Sequence, residues 1–316
     1  MGGPDSPEAV EPFLRNLFSD PDIIQLGWAR PLQPLLARFI AHRRAPFSRA
    51  AYAQIGGRSP IREVSQAQVQ AVVAAMTAAG VTARPYLAMS YWHPFPAEAA
   101  AAMKAEGVTQ ALLLPLYPHR SRTTMGSTFR TMEAALPGSK IATARIEGYA
   151  TAPGYIAALC DRITEAVAQL PASEQAAAPV LFSAHGLPEA YIRRGDPYLD
   201  DIRATVAAVT GKLGLGSRAQ LAFQSRVGRQ RWLGPHTEDA LDALAHAGHR
   251  SVVVVPISFT GEHVETLQEI DIVYRERAAR QGIANFARAR TVGCHPAFVS
   301  GLAERLVAVA RERGWT

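Results

Sequence analysis

Short apolar runs alternate with longer amphipathic stretches along most of the chain. Seven runs of four to seven residues are rich in aliphatic or aromatic side chains and predict β-strands at 85–89, 111–117, 141–146, 180–183, 221–224, 252–257 and 285–290. The stretches between them, such as 97–103 and 238–247, carry apolar positions at helical spacing. Strands that alternate with helices indicate parallel sheets in a doubly wound α/β fold.

The strands fall into two series that look like a repeat. Leu113 and Val254 lie in corresponding runs, 111–124 and 251–263, and each run contains a proline and then enters a polar turn. Two similar domains in tandem predict a cleft between them. Ligands of open α/β sheets bind at the carboxyl ends of the strands, so the residues just after each run are the candidates for chemistry.

One early segment, 13–40, carries more apolar residues than a solvent-facing helix pair needs. Three interpretations fit it: a core layer over the first sheet, an apolar lip over a flat ligand, or a surface that rests on a membrane. No apolar run approaches the roughly 18 residues of a transmembrane helix, so no membrane span is expected.

The composition narrows the choice of function. Two cysteines, Cys160 and Cys294, are too few for a disulfide framework or a four-cysteine metal cluster, and they favour a reducing compartment. The 33 basic and 27 acidic residues give a net charge of +6, and only three of the basic residues are lysines. An arginine excess suits an anionic ligand or surface, although the codons of a GC-rich genome would also produce it. The basic residues are dispersed, so nucleic acid is not an expected partner.

A histidine follows the buried run 180–183 directly. His185 stands between Ala184 and the sequence Gly186-Leu187-Pro188, on a turn at the mouth of the sheet. Its imidazole is able to accept a proton or bind a borderline metal ion there. The alternative is a structural histidine.

An acidic row follows the run 252–257. A helix that begins near Gly261 would place Glu262, Glu265 and Glu269 on one face, at positions i, i+3 and i+7. Like charges on one face repel each other, so the row is favourable where a cation or protons are handled. The alternative is a solvated helix face.

Three more turns follow predicted strands. The turn 117–124 is rich in hydroxyl groups and arginine and suits anions, and the aromatic turn 90–94 suits a planar ligand. The turn 224–228 ends the run 221–224. Each of the three is also compatible with an ordinary turn.

Read together, these turns resemble the ferrochelatases, the enzymes that insert ferrous iron into a porphyrin in the last step of haem synthesis. The matching segments occur in order along nearly the whole chain: GGPDSPEAV (2–10), IGGRSP (55–60), LPLYPHRSRTTMGS (114–127), FSAHGLP (182–188), GDPY (195–198), FQSRVG (223–228), WLGPHT (232–237) and PISFTGEHVETLQEID (256–271).

The resemblance implies a chelatase-like α/β fold of two Rossmann-like doubly wound domains whose parallel sheets flank a porphyrin cleft. The first domain, with the porphyrin lip, is expected at 1–150 and the second, with the catalytic histidine and acidic helix, at 151–296. A C-terminal helix at about 297–316 is expected to pack back on the first domain.

The implied reaction inserts Fe²⁺ into protoporphyrin IX, releases two protons and forms protohaem. Porphyrin and ferrous iron are then substrates, and neither a cofactor nor an iron–sulfur cluster is expected. The protein is expected to be a monomer or homodimer and to be cytoplasmic, with contact to the inner membrane surface as the further option. The alternatives are a coproporphyrin ferrochelatase, another tetrapyrrole chelatase, or a tetrapyrrole-binding protein without catalysis.

The resemblance also assigns roles to residues. The implied catalytic residues are His185, Glu265, His263 and Glu269, and His185 and Glu265 are the implied metal ligands. His185, expected to be neutral near pH 7, accepts a pyrrole proton or holds the iron, and the acids relay protons or supply the metal. The expected substrate-binding residues are Tyr91, Tyr117, Arg120, Ser121, Arg122, Thr123, Ser225, Arg226 and Trp232.

The chain departs from the family pattern at three places. Ser90 stands where an arginine is common, and Arg229 stands where a proline usually follows the SRVG turn. The family has an apolar strand ahead of the turn Gly2–Pro4. Its absence predicts either that the protein starts upstream of Met1 or that its first sheet is defective.

Overall fold

The computed structural model describes residues 1–24, 31–138, 140–226 and 230–315. The chain divides into two compact units. The first contains Met1–Leu116, Ser121–Glu147 and Ala303–Thr316, and the second contains Tyr117–Arg120 and Gly148–Leu302.

The first unit is built around two parallel strands, β1 (Gln110–Leu113) and β2 (Ala142–Arg145), which pair with Gln110 opposite Ala142. Its helices are α1 (Val10–Ser19), α2 (Gln33–Ala53), α3 (Ile61–Ala78), α4 (Pro96–Ala105) and α5 (Ser127–Ala134), and the π-helical turn Arg122–Gly126 precedes α5. Four buried side chains form a core against the strands: Ala100 and Met103 of α4, Met132 of α5, and Leu136 two residues beyond the end of α5.

The predicted strand at 85–89 is wrong. These residues form no strand pairing in the described part of the chain. A strand needs a neighbour that receives its N–H and C=O groups, but the backbone here bonds locally. The N–H of Met89 donates to the carbonyl of Pro94 at 2.7 Å, and Pro85 has no N–H to donate. The predicted strand at 111–117 is confirmed only in its first three residues, since β1 ends at Leu113, and the one at 141–146 is confirmed in its four central residues.

The second unit contains a four-stranded parallel sheet in the order β4-β3-β5-β6. The strands are β3 (Val180–His185), β4 (Ala219–Gln224), β5 (Ser251–Pro256) and β6 (Asn285–Arg288), which confirms the four strands predicted for this half. All of β5 is buried, as is β3 up to its final residue. Strands covered on both faces are continuous apolar runs, which is why the sequence pattern identified them.

The helices of the second unit connect these strands. They are α6 (Pro153–Val167), α7 (Ala172–Gln175), α8 (Glu189–Arg193), α9 (Tyr198–Leu213), α10 (Thr237–His246) and α11 (Arg275–Arg280). A π-helix, Glu265–Tyr274, runs directly into α11, and a 3₁₀ turn, Gly216–Arg218, precedes β4. The last helix, α12 (Pro296–Glu312), continues from the second unit into the first.

The described parts of the apolar segment 13–40 lie partly in the core and partly on the surface, and residues 25–30 of the segment lie outside the described residues. Phe13 and Phe18 of α1 are buried, as the core-layer interpretation requires. On α2, however, Leu35 and Phe39 are 69% and 62% exposed, and Phe47 further along is 79% exposed. In the described ranges, no helix combines the length and the apolar character needed to cross a bilayer.

Candidate active site

His185 is the last residue of β3, at the carboxyl edge of the sheet in the second unit. The glycine that follows it is required by space. A Cβ atom on Gly186 would lie 2.9 Å from the carbonyl oxygen of Gln224 and 3.3 Å from the ring of Trp232. The strand therefore turns tightly after His185, and the imidazole stays partly exposed, with 36% of the side chain accessible.

Glu265, the first residue of the π-helix, pairs with His185. Its Oε2 lies 2.8 Å from Nδ1 of the imidazole. Burial alone would lower the pKa of His185, but the carboxylates of Glu265 and Glu269 outweigh it and hold the pKa above its ordinary value. Burial alone would raise the pKa of Glu265, yet the charge and hydrogen bond of His185 lower it to about 2. The two groups therefore stabilise each other's charged forms: the carboxylate of Glu265 favours protonation of His185, and the imidazolium of His185 favours ionisation of Glu265.

Glu269 lies one turn beyond Glu265 and shares a partner with it. The hydroxyl of Ser225 donates to Glu269 Oε2 at 2.6 Å and lies 3.3 Å from Glu265 Oε2. Tyr274 donates its hydroxyl to Glu269 Oε1 at 2.6 Å. Burial and the charge of Glu265 raise the pKa of Glu269, so it accepts a proton more readily than Glu265 does.

His263 caps the π-helix that carries both acids. The backbone N–H of Glu265 donates to its Nδ1 at 3.1 Å, so Nδ1 is an acceptor and the neutral ring carries its proton on Nε2. Burial lowers the pKa of His263. The ring of Phe259 contacts His263 edge-on at 4.3 Å between centroids and lies 6.4 Å from the ring of His185. The four predicted catalytic residues therefore lie in one cluster.

Glu262 does not belong to this cluster, so the predicted row of three acids is wrong. The helix begins at Val264 rather than near Gly261, and Glu262 precedes it. The carboxylate of Glu262 pairs with the guanidinium of Arg288 at 3.1 Å and accepts hydrogen bonds from Thr266 and Thr291. Arg288 is 9% exposed and also pairs with Asp271, so Glu262 anchors β6 to the loop before the π-helix.

Three predicted binding residues of the second unit lie near this cluster: Ser225 by direct contact, Arg226 as the next residue in the chain, and Trp232 beside the turn that follows His185. Ser225 contacts both acids, and Arg226 beside it is exposed. Trp232 is half-buried and forms an antiparallel bridge with Pro188 of the turn after His185. The departure from the family pattern at Arg229 lies outside the described residues.

Arg120 has a protein partner in the same unit. Its guanidinium binds Asp201 through two hydrogen bonds, at 3.0 and 2.6 Å, and its backbone N–H adds a third at 2.8 Å. Tyr117, three residues earlier, is half-buried. His119 between them is buried and donates from Nε2 to Thr205 at 3.0 Å, and burial lowers its pKa to about 3.

Four predicted binding residues lie in the first unit. The hydroxyl of Tyr91 donates to Asp20 at 2.6 Å, and Asp20 also accepts a bond from Ser127 at 2.8 Å. Ser121 caps the π-helical turn by accepting the N–H of Thr123 at 3.2 Å, and both residues are buried. Arg122 is exposed.

Several residues that hold these groups escaped the sequence analysis. They are Asp20, Asp201 and Tyr274, together with two residues inside quoted segments, Tyr198 in 195–198 and Ser258 in 256–271. Membership of these two motifs was the only signal in the sequence that could have identified Tyr198 and Ser258. In the described ranges, no group of three or more His, Cys, Asp or Glu side chains is arranged to hold a metal ion.

Solved structures share the fold at low sequence identity. The structure titled SirB from Bacillus subtilis with Fe3+ aligns with a TM-score of 0.53 and 13% identity, over 79% of this chain and 92% of that chain. The structure of CbiX, described as a terminal enzyme for biosynthesis of sirohaem in denitrifying bacteria, aligns with a TM-score of 0.51 and 18% identity, over 79% and 93%. These likenesses confirm the predicted chelatase-like α/β fold.

Sequence comparison identifies the family. The ferrochelatase family model matches residues 1–309. A ferrochelatase from Thermosynechococcus vestitus is 46% identical over 309 residues, which cover 96% of this chain and 79% of the relative. A ferrochelatase from Geotalea daltonii is 44% identical over 314 residues, which cover 99% of this chain and 96% of the relative. Matches at this identity over 96% and 99% of the chain show that it belongs to the ferrochelatase family.

Proposed function

We propose that this chain inserts Fe²⁺ into protoporphyrin IX and forms protohaem, with His185 and Glu265 acting at the reacting centre. As a member of its family the chain is a lyase of haem biosynthesis that inserts metal into porphyrin. One observation carries the assignment of residues: the 2.8 Å contact between Nδ1 of His185 and Oε2 of Glu265 at the carboxyl edge of the sheet.

The pairing supports a base role for His185. A carboxylate that binds Nδ1–H fixes the tautomer in which Nε2 carries the free lone pair. Nε2 then takes a proton from a pyrrole N–H, and Glu265 stabilises the imidazolium that forms. The raised pKa of His185 strengthens it as a base in this step.

Two protons leave the porphyrin for each metal ion that enters, so the base must pass protons on. The hydroxyl of Ser225 lies between the carboxylates of Glu265 and Glu269 at 3.3 and 2.6 Å, within reach of a hydroxyl relay. Glu269, whose pKa burial raises, serves as the acceptor at the far end. His263 accepts the N–H of Glu265 through Nδ1 and so stabilises the start of the helix that carries both acids. In this scheme the Nε2–H of His263 is the group that donates to the substrate.

The same groups offer ligands to the incoming iron. Imidazole nitrogen and carboxylate oxygen both suit Fe²⁺. His185 and Glu265 supply one of each, and the remaining ligands would come from water and from the porphyrin nitrogens. The iron is a substrate in this scheme and leaves with the product.

The porphyrin needs contacts for its ring and its two propionates. Exposed arginines suit propionate carboxylates because the guanidinium binds them bidentately. Arg226 and Arg122 are exposed, and we assign them to this role on that ground. The guanidinium of Arg120 is bound to Asp201. We assign Trp232 and Tyr117 to contacts with the porphyrin ring. Tyr91, Ser121 and Thr123 remain proposed substrate-binding residues on the family resemblance.

A second property follows from the exposed side chains of α2. The apolar residues Leu35, Phe39 and Phe47 are exposed, and the guanidinium of Arg43 lies 5.8 Å from the ring of Phe39. A helix that exposes apolar residues beside arginines suits the surface of an anionic bilayer. A cytoplasmic protein that touches the inner membrane through α2 is therefore our proposal for its location. Flotation with anionic vesicles, compared with neutral vesicles, tests it, and light scattering of the unbound protein distinguishes monomer from homodimer.

Metal insertion is measured directly by absorbance. The purified chain is mixed anaerobically with Fe²⁺ and protoporphyrin IX, and in parallel with coproporphyrin, and the porphyrin bands are followed as they convert to those of the metallated product. Faster turnover of protoporphyrin supports the proposal, whereas a preference for coproporphyrin supports the alternative substrate. Porphyrin binding without insertion of either Fe²⁺ or Zn²⁺ would contradict both.

A further inference from the structure

On the side of β3 that faces β5, the backbone N–H and C=O of His185 bond two side-chain hydroxyls instead of the neighbouring strand. On the other side of β3, His185 still pairs with Gln224 of β4. Strand β5 pairs with β3 only as far as Ser183 opposite Pro256. The parallel register would offer His185 the carbonyl of Ile257 and the N–H of Phe259 as its next partners. Both are engaged elsewhere: Tyr155 donates its hydroxyl to the Ile257 carbonyl at 2.7 Å, and the Phe259 N–H bonds Pro256 at 3.3 Å.

Ser258 and Tyr198 take the places of these two groups. The N–H of His185 donates to the hydroxyl oxygen of Ser258 at 3.1 Å, and the hydroxyl of Tyr198 donates to the carbonyl of His185 at 2.9 Å. The two hydroxyls are 2.7 Å apart. Because the proton of Tyr198 goes to the carbonyl, Ser258 must donate to Tyr198. The three bonds then form a closed ring in which each donor has an acceptor.

Tyr198 is itself held rigidly. It is the first residue of α9, and its N–H donates to the buried carboxylate of Asp196 at 3.0 Å. The buried ring of His119 packs edge-on against the Tyr198 ring, with centroids 6.0 Å apart. The GDPY segment, which had no assigned role in the sequence, thus fixes one phenol against the end of β3.

We propose that Tyr198 and Ser258 are positioning residues that hold the imidazole of His185 opposite Glu265. The inference rests on the proposed function, in which His185 reacts with the porphyrin. Where β5 turns away after Pro256, the chain gains room to lead into the π-helix that carries Glu265, but the end of β3 loses its ladder partner on the β5 side. The hydroxyl ring restores that support without returning β5 to the sheet.

Removing either hydroxyl tests the proposal. Tyr198→Phe and Ser258→Ala should each lower kcat about 10- to 100-fold, because displacement of a reacting group by about 1 Å has that effect. The KM for porphyrin should change less than about twofold. The double variant should be no slower than the slower single variant, since each change opens the same ring. Ser258→Thr, which keeps the hydroxyl, should recover most of the rate.

Ser251→Ala is the matched control for Ser258→Ala. It also removes a serine hydroxyl that accepts a hydrogen bond in the same unit, from the side chain of Asn285 at 3.0 Å. Ser251 is the first residue of β5, at the edge of the parallel sheet opposite to His185, so the ring around His185 stays intact. We expect Ser251→Ala to lower the melting temperature about as much as Ser258→Ala and to leave kcat within about twofold. An equal fall of kcat in both variants would overturn the positioning role.

A spectroscopic readout separates this inference from the proposed function. In the ¹⁵N-labelled protein without substrates, Tyr198→Phe should shift the ring nitrogen signals of His185 and speed the exchange of the His185 amide, whereas Ser251→Ala should leave both unchanged. A shift with unchanged kcat would support the positioning role and contradict a reacting role for His185. Unchanged His185 signals in Tyr198→Phe would overturn the positioning role whatever the rate.

Discussion

Ser225 holds Glu269 through two hydrogen bonds, one from its backbone N–H at 3.1 Å and one from its hydroxyl at 2.6 Å. Both bonds depend on an unusual backbone, because Ser225 has φ of 66°, in the left-handed region that favours glycine. Strain of this kind persists where the surroundings hold it, and it occurs often at functional sites. The strained turn after β4 therefore lowers local stability but places the Ser225 hydroxyl between Glu265 and Glu269.

Two substitutions at Ser225 separate the strain from the hydroxyl. Ser225→Ala removes the hydroxyl and keeps the strain, whereas Ser225→Gly removes both. We expect both variants to lose turnover to a similar extent, about 10-fold or more, since the relay is gone in each. The free energy of unfolding of Ser225→Gly, measured by urea denaturation, should exceed that of Ser225→Ala by about 1 kcal/mol. Normal turnover in either variant would exclude the hydroxyl from the proton path.

His185→Ala should abolish metal insertion while the fold and porphyrin binding persist. The imidazole is partly exposed at the end of β3 and leaves little cavity when removed. Loss of a general base or positioned ligand lowers the rate about 10²- to 10⁴-fold. Insertion of Fe²⁺ or Zn²⁺ is followed by absorbance, and porphyrin affinity by fluorescence quenching. A near-normal rate would remove His185 from the mechanism.

The acids of the cluster should differ from an acid elsewhere in the same unit. Glu265→Gln removes the charge beside His185 and should lower kcat at least 10-fold, and Glu269→Gln should lower it less. The control is Glu238→Gln in the first turn of α10, where the carboxylate is 3.6 Å from Arg277 and far from His185 along the chain. Equal rates for Glu265→Gln and Glu238→Gln would mean that the cluster has no part in turnover.

Glu262 should behave as a structural residue. Glu262→Gln leaves the guanidinium of Arg288 with one carboxylate instead of two, which should lower the free energy of unfolding by about 1–3 kcal/mol. We expect kcat to stay within about threefold of wild type once the temperature is low enough to keep the variant folded. A loss of turnover as large as that of Glu265→Gln would return Glu262 to the acidic row.

The His185–Glu265 pair predicts a bell-shaped contribution to stability. The folded-state pKa of His185 is raised, so its contribution is complete below about pH 6.5 and is lost as the pH rises through the folded pKa. The pKa of Glu265 is lowered to about 2, so its contribution is complete above about pH 4.5 and is lost as the pH falls towards 2.

The difference in unfolding free energy between wild type and Glu265→Gln should therefore be largest between about pH 4.5 and 6.5 and smaller at pH 3 and pH 9. Urea denaturation at these pH values measures it. Glu238→Gln serves as the control, since no histidine pairs with Glu238 in the described residues and its difference should not shrink at pH 9. A flat profile for Glu265→Gln would show that the pair does not carry opposite charges in solution.

Much of the second unit could be predicted from the sequence. The runs that became β3 and β5 are apolar at consecutive positions, because helices cover both faces of a parallel sheet. Their carboxyl ends share one edge, which is why His185 was expected near the acids of the following segment. These features depend on local composition and on a general rule of parallel sheets, so the order of residues was enough.

Other features depended on groups far apart in the chain. Residues 85–89 are as apolar as a strand, but only a neighbouring strand makes them one, and the described first unit provides none. The register of Glu265 and Glu269 depended on a π-helix, whose i→i+5 bonds the apolar spacing does not distinguish from those of an α-helix.

The support of His185 was decided by tertiary structure alone. Tyr198 and Ser258 lie 13 and 73 residues from His185 along the chain and meet it only because β5 stops at Pro256. The sequence determined which side chains were available, namely an imidazole, two acids and several hydroxyls after buried strands. The fold decided which of them touch, because a hydrogen bond forms over about 3 Å whatever the distance along the chain.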